Sequence, residues 1–583
     1  MSNTRRAEYP RPDFQRSQWQ NLNGVWDFAF DDEDKGKEER WYERADFANT
    51  QIVVPFVYQC AASTIADLSY HPILWYSRLV AYEEDAEKLR SYLCFAAVDH
   101  EAEVWVNGRY MGSHRGGYTP FSFDVTDALH PGTDNLVVVR CEDRNDCSQV
   151  RGKQYWKTEN DRCWYTPSSG IWQTVWLEKR PEVHISSFEL ESDIDTSMLS
   201  IRVILNRKPY QPCSLTVDLS KGGVCVQHAV LSMHEQTSQW KIPVLEDDYI
   251  DEIHYWTPER PSLYDIDFAL ACDQQVDEVH AYFGMRKISI RDGHVLLNNK
   301  PFYQRLVLDQ AYWEETLLTA PSDEAFKQDI ERIKQMGFNG VRLHQKIEDS
   351  RFYYWADVLG LVVWAELPST YSFNPVARQL SIESLTAFIE RDRNHPCIIC
   401  WVPLNESWGV RNIYANEEQQ RFAVALYHLV KMLDGSRMVN TNDGWEQVSS
   451  DLCGVHDYIP DGERFSHVWK DLESLLEGTV QGRMIYASGY SYVNQPIMVT
   501  EFGGIAFNAD MVGSHWGYAG GVEDERQFFS RLRSLITAIR SKKEIQGFCY
   551  TQLTDVMQEV NGLLRIDRSA KCSPEEIRSI ITS

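Results

Sequence analysis

The sequence predicts a multi-domain protein: an N-terminal jelly-roll β-sandwich over residues 1–180, an immunoglobulin-like β-sandwich over 181–285, and a C-terminal (β/α)8 TIM barrel over 286–583. Three observations predict it. Short aromatic and β-branched runs separated by Gly, Asn and Asp turns fill the first stretch. Similar runs continue for about the length of an immunoglobulin-like sandwich. After about Lys287 strands begin to alternate with helices, the pattern of a parallel sheet ringed by helices.

In the first domain, runs at 25–30, 52–58, 74–82, 103–106, 136–141 and 171–177 have strand length and composition. Asn107-Gly108, between 103–106 and Tyr110-Met111, signals a hairpin, because both residues tolerate positive φ. In the second domain the candidate strands are 203–205, 214–219, 224–231 and 266–270. Length and strand count alone assign it, since the Cys–Trp signature of the immunoglobulin fold is missing. The barrel strands are read at 304–308, 338–343, 361–366, 397–404, 437–441, 452–456, 496–500 and 545–550, and helices at 322–336, 351–359, 417–434 and 524–541. Ser322-Asp-Glu-Ala offers an N-cap with acids in the first turn, and Gly337 a stop.

The formal net charge of −27 over 583 residues argues against nucleic acid and anionic membrane surfaces as partners. Residues 1–10 carry basic side chains with no apolar stretch behind them, and no run of about 18 apolar residues follows anywhere. No secretory signal or membrane span is therefore expected, and the expected location is cytoplasmic. Thirteen cysteines, an odd and scattered set, fit reduced thiols. Cys397 and Cys400, inside an apolar run, read as core rather than as zinc ligands. Nineteen tryptophans offer faces that stack on sugar rings, but each taken singly reads first as sandwich core.

The apolar run 397–404 ends in Asn405-Glu406. A strand apolar on both faces belongs in a barrel, whose chemistry sits at the C-terminal strand ends. Residues 496–504 repeat that grammar: a short apolar strand, then Glu501, then glycines. Two glutamates at two strand ends suggest a paired-carboxylate site.

Four segments, in order, resemble glycoside hydrolase family 2, the group containing β-galactosidases, β-glucuronidases and β-mannosidases. They are Val104-Trp-Val-Asn-Gly-Arg-Tyr-Met-Gly with Phe123-Asp-Val-Thr behind it; Ser169-Gly-Ile-Trp-Gln-Thr-Val-Trp-Leu-Glu; Arg393-Asn-His-Pro through Asn405-Glu406; and Thr500-Glu501-Phe-Gly-Gly. The likeness runs over nearly the whole chain, in the family's domain order, and makes the first domain one of the sugar-binding type. It implies a retaining exo-β-glycosidase acting on an oligosaccharide or glycoside, with Glu406 as general acid/base and Glu501 as nucleophile. It also implies that Asn405 holds the sugar 2-hydroxyl and that Tyr458 steadies the nucleophile, with His456 on the same lip. Tyr550 sits where the family commonly has a tryptophan platform under the sugar. Asp309, His344 and Glu366 depart from the better-known members and are candidates for polar contacts to the sugar.

β-Galactosidase-like specificity is the default. β-Glucuronidase and arabinosidase or galactofuranosidase specificities are the alternatives, and a catalytically inert carbohydrate-binding protein is the alternative of another class. A uronic acid needs a cation for its carboxylate. The family's glucuronidases use Asn-x-Lys after the last barrel strand, where this chain has Asn561-Gly-Leu563; Lys346 or Arg565 would have to substitute. No cofactor and no required metal are expected, because the ligand positions of metal-dependent members do not carry over clearly. Self-association is expected of an enzyme of this type. The long loop 459–495 is expected beside the site.

Overall fold

The computed structural model describes residues 5–83, 88–244, 254–518 and 520–583. In the first domain a six-stranded antiparallel sheet, with Ile73–Tyr82 and Thr133–Glu142 at its centre, lies over a four-stranded sheet carrying Arg90–Phe95 and Val175–Arg180. Alternate side chains of both sheets, among them Trp26, Tyr76, Val104 and Leu177, meet in one core. Asn107 and Gly108 join Glu101–Val106 to Arg109–Arg115 with φ of 51° and 77°, as the hairpin signal requires. The run 171–177 is not one strand. It breaks into Gly170–Ile171 and Val175–Arg180, because the Trp172 indole N–H donates to Gly117 O (2.7 Å) and Thr319 Oγ1 donates to Trp172 O (2.7 Å), pulling the segment onto the barrel.

The second domain packs a three-stranded sheet (Ile185–Asp193, Met198–Leu205, Thr237–Pro243) on a four-stranded sheet (Cys213–Lys221, Val224–Met233, Tyr264–Cys272, Gln275–Phe283). Cys213 and Cys272 form a disulfide, which corrects the expectation of reduced thiols throughout. Eleven other cysteines are free, Cys397 and Cys400 among the buried ones.

In the barrel, β1 (Gln304–Asp309), β2 (Gly340–Leu343), β3 (Val362–Glu366), β4 (Ile398–Val402), β5 (Met438–Val439), β6 (Cys453–His456), β7 (Ile497–Gly503) and β8 (Ile545–Thr551) form a curled parallel sheet in the order β5-β4-β3-β2-β1-β8-β7-β6. The helices start where the sequence offers caps. Ser322 accepts from Ala325 N–H before Asp323–Gln335, Asn416 from Gln419 N–H before Glu417–Leu433, and Asp524 from Gln527 N–H before Glu525–Arg540. Helices Pro375–Asp392 and Pro574–Ile581 were not among those expected. The first buries Ser381, Ser384, Arg391 and Asp392 along with its apolar residues, so its apolar period is blurred. Among the described residues no helix is long and apolar enough to cross a membrane.

Candidate active site

Pro403 has no N–H to continue β4, but Leu404–Asn405 pairs in parallel with Asn442–Asp443 and carries the β4–β5 ladder further. Glu406 and Ser407 then adopt left-handed backbone, φ 50° and 59°. Glu406 N–H donates to Asp443 O (2.9 Å), Trp408 N–H to Asn405 O (2.9 Å) and Ser407 N–H to Asn442 Oδ1 (3.0 Å). Such backbone costs ~1–3 kcal/mol per residue and persists only where the surroundings over-determine it, as these bonds do.

The turn delivers the Glu406 carboxylate to His456 at the end of β6. Carboxylate oxygens of Glu406 and Glu501 and a ring nitrogen of His456 all lie within 4.8 Å of one another. His456 Nδ1 is 2.8 Å from Glu406 Oε1, while Nε2 is 3.3 Å from Asp443 Oδ2 and 3.5 Å from Glu501 Oε1. Burial opposes a charge on His456. The facing Glu501 and Asp443, together with the bond to Glu406, outweigh it and push its pKa up to about 10. His456 is therefore an imidazolium at neutral pH, hydrogen-bonded through Nδ1 to Glu406, while Nε2 faces Asp443 and Glu501 without a hydrogen bond.

Arg342, from β2, is fully buried and holds the acids in place. Its Nη1 donates to Glu501 Oε1 (2.8 Å) and lies 3.1 Å from Asp443 Oδ2; Nε donates to Glu366 Oε2 (2.9 Å) and Nη2 to Asn405 Oδ1 (2.6 Å). Tyr458 OH donates to Glu501 Oε2 (2.5 Å) and stacks on Tyr518 at 3.9 Å. Burial by itself would raise the Glu501 pKa. The charges of His456 and Arg342 and the Tyr458 hydrogen bond overcome it and hold the carboxyl at about 2. Asp443, which accepts from Thr500 Oγ1 (2.6 Å), is likewise held well below the carboxylate range against its burial, by Arg342 and His456.

Of the residues named from the sequence, Glu406, Glu501, Asn405, His456 and Tyr458 thus converge. Asn405 Nδ2 is buried with no protein partner, a donor left for a ligand. Glu366 is buried with its oxygens taken up by Arg342 and Gln345, so it orients Arg342 instead of meeting a sugar directly. His344 Nδ1 is 3.2 Å from Glu366 Oε1, and burial lowers its pKa. Two candidates fall outside the cluster. Asp309 accepts from Ala311 N–H (2.8 Å) and has Asp329, Arg568 and Lys346 as charged neighbours; burial first, then Asp329, pushes its pKa to about 6. Tyr550 packs its ring under Gly503, where an added Cβ would come within 2.4 Å of it, and its hydroxyl has no partner. Successive residues of a strand face opposite sides, so Thr551, not Tyr550, turns toward the acids, its Oγ1 3.2 Å from Tyr458 OH. The loop 459–495 reaches the lip: Arg483 pairs with Glu446 (2.9 Å), which accepts from Ser407 Oγ (2.7 Å).

Sequence reading missed Arg342, Asp443 and Thr551 as site residues. Asp443 had a signal, an acid before a glycine at a strand end, but β5 is only two residues long and hides it.

Comparison with known proteins agrees with this architecture. Residues 19–181 match the glycosyl hydrolases family 2 sugar binding domain, 183–286 match glycosyl hydrolases family 2, and 288–528 match the glycosyl hydrolases family 2 TIM barrel domain. The chain belongs to glycoside hydrolase family 2. This family 2 chain is 26% identical over 474 residues to a β-galactosidase of Thermoanaerobacter pseudethanolicus, covering 79% of this chain and 57% of that protein. It is 28% identical over 377 residues to a putative β-glucuronidase of Formosa agariphila, covering 62% of this chain and 44% of that protein. The chain spans about half the length of the curated relatives it matches. In fold it superposes on a Ruminococcus gnavus β-glucuronidase with a TM-score of 0.77 at 19% identity, covering 99% of both chains. A family 2 β-galacturonidase of Eisenbergiella tayi gives 0.75 at 19%, covering 99% of this chain and 98% of that one.

Proposed function

We propose that this chain is a retaining exo-β-glycosidase working by double displacement. One observation carries the reading: the oxygens of Glu406 and Glu501 within 4.8 Å of each other, one carboxylate held ionised by Arg342 and Tyr458, the other bonded to an imidazolium. Retaining enzymes place their carboxyl groups roughly 5–5.5 Å apart, and inverting enzymes leave room for a water between them. Glu501 attacks the anomeric carbon, and the glycosidic oxygen departs with the proton shared between Glu406 and His456. Formation of the ester cancels the Glu501 charge, which weakens the field that keeps the proton on His456 and favours its release through Glu406. Water then attacks the glycosyl-enzyme, gives its proton back to the Glu406–His456 pair, and frees the sugar with its configuration retained. Asn405 Nδ2 is the donor for a sugar hydroxyl.

The β-galactosidase-like default rests on likeness alone. Of the two cations named from the sequence as partners for a uronic carboxylate, Lys346 donates to Ala311 O (2.9 Å) and Leu318 O (2.6 Å) and pairs with Glu348 (2.6 Å), and Arg565 is exposed. The test is hydrolysis of a panel of β-galactoside, β-glucoside, β-mannoside, β-glucuronide, α-arabinoside and β-galactofuranoside para-nitrophenyl substrates by wild type and Glu501→Gln. Turnover lost in the variant, with a fluorosugar adduct on Glu501, supports the reading. Turnover that survives in Glu501→Gln sinks it.

A further inference from the structure

The barrel mouth is not built by the barrel alone. Residues 151–165 of the first domain lie against it. Arg151 and Gly152 N–H both donate to Ser369 O (3.1 Å), and Tyr371 OH donates to Gly152 O (2.5 Å). Gly152 has φ 61°, and a Cβ there would come within 2.1 Å of Gln345 O, so only glycine allows this approach. Tyr165 N–H donates to Lys153 O (2.8 Å) and Tyr155 N–H to Tyr165 O (2.9 Å), which fixes Lys153 between them.

Lys153 is 4% exposed. Its ammonium lies 4.6 Å from the ring centroid of Trp408, two residues beyond Glu406. Glu559, Glu406 and Glu501 act on it electrostatically, and Cys163 lies beside it with a thiol that burial pushes up to about 11. Yet among the described residues no carboxylate lies within 4.0 Å of its nitrogen, as Glu501 does to Arg342 and Glu406 to His456. A buried ammonium in the field of acids, in contact with none of them and bonded to the Cys163 thiol, keeps further donors for something else.

The buried cations Arg342, His456 and Lys346 are already engaged by acids. Arg342 serves Glu366, Asp443 and Glu501; His456 serves Glu406 and Asp443; Lys346 serves Glu348. Of these four buried cations, Lys153 alone has no carboxylate partner among the described residues, which leaves it to meet an added negative charge on a bound sugar. We propose that Lys153 determines specificity by pairing with a carboxylate on the terminal sugar, so that the substrate is a uronic acid glycoside and the first domain supplies the recognising charge. This inference rests on the glycosidase reading and replaces its neutral-sugar default.

The experiment compares kcat/KM of wild type, Lys153→Met and Lys153→Arg on para-nitrophenyl β-glucuronide, β-galacturonide and their neutral counterparts, β-glucoside and β-galactoside. Calorimetric binding of glucuronate, galacturonate, glucose and galactose by the same proteins runs beside it. Wild type should prefer one acidic sugar. Lys153→Met should lose at least about 100-fold more on that sugar than on its neutral counterpart, with the loss in KM, and Lys153→Arg should recover part of it. A neutral preference in wild type, or an equal loss on both sugars in Lys153→Met, would overturn the proposal. If no glycoside is turned over the glycosidase reading fails, and calorimetry still decides about Lys153: no preference for the uronate over the neutral sugar, or a preference that Lys153→Met keeps, overturns it.

Discussion

His456 Nδ1 lies 2.8 Å from Glu406 Oε1 while its Nε2 faces Asp443 and Glu501 at 3.3 and 3.5 Å, so one imidazolium spans both members of the carboxylate pair. The pair is thereby coupled through a proton. A negative Glu501 favours charge on His456, and a Glu501 bound to sugar does not. Gly444 makes this possible: a Cβ there would come within 2.8 Å of the ring.

Replacing His456 with Phe should lower kcat by roughly 10²- to 10³-fold, since proton transfer loses its relay. The variant also changes the pH dependence of stability. The pKa of His456 is raised from 6.5 to about 10 in the folded chain, with Glu406, Asp443 and Glu501 as the acids facing it. Its contribution is therefore fully present below pH 6.5 and is lost as pH rises through 10. Urea unfolding at pH 7 and pH 10.5 should show wild type losing stability over that window and His456→Phe losing less.

Removing the two glutamates separately should give opposite stereochemistry with azide. In Glu406→Ala the glycosyl-enzyme forms from a substrate with an activated leaving group and azide intercepts it, so the product is the β-glycosyl azide. In Glu501→Ala azide enters in place of the nucleophile and yields the α-glycosyl azide. Proton NMR of the products decides, and the same anomer from both variants would contradict the assigned roles.

Arg342 should be a stability residue as much as a site residue. Its guanidinium is the shared partner of Glu366, Asp443 and Glu501, all buried. Breaking a buried pair by deleting one partner costs about 3–5 kcal/mol, because the other charge is left uncompensated. Arg342→Met should unfold at lower denaturant concentration by about that amount. Arg342→Met with Glu366→Gln should recover part of it; no recovery would mean that the cost is lost packing.

The parts of the site that were legible in the sequence are those where one residue at a strand end carries the signal. Glu406 and Glu501 stand out because an apolar strand stops at each. The cap at Ser322 was legible for the same reason, since a polar residue precedes an apolar period. What was hidden depends on contacts between distant segments. Arg342 lies within a strand, where a charge reads as a defect until Glu366 of β3, Asp443 of the short strand after β5 and Glu501 of β7 are seen around it. Lys153 belongs to another domain. The helix Pro375–Asp392 buries polar side chains that disguise its period.

Tyr550 and Thr551 show how one step of register changes a prediction. Along β8 the side chains alternate, and the ring of Tyr550 is wedged under Gly503 on the side away from the acids. The Tyr550 hydroxyl is buried without a partner, so removing it relieves an unsatisfied group. Tyr550→Phe should therefore leave kcat/KM within about twofold and leave stability equal or raised by up to ~1 kcal/mol. Thr551→Val keeps the shape but deletes the oxygen 3.2 Å from Tyr458 OH, which itself holds Glu501. That change should lower kcat by roughly three- to tenfold, the worth of one hydrogen bond, with little effect on melting. If Tyr550→Phe were instead the variant that raised KM for every substrate, the ring would have to reach the sugar after all, and the outward face assigned to Tyr550 would be wrong.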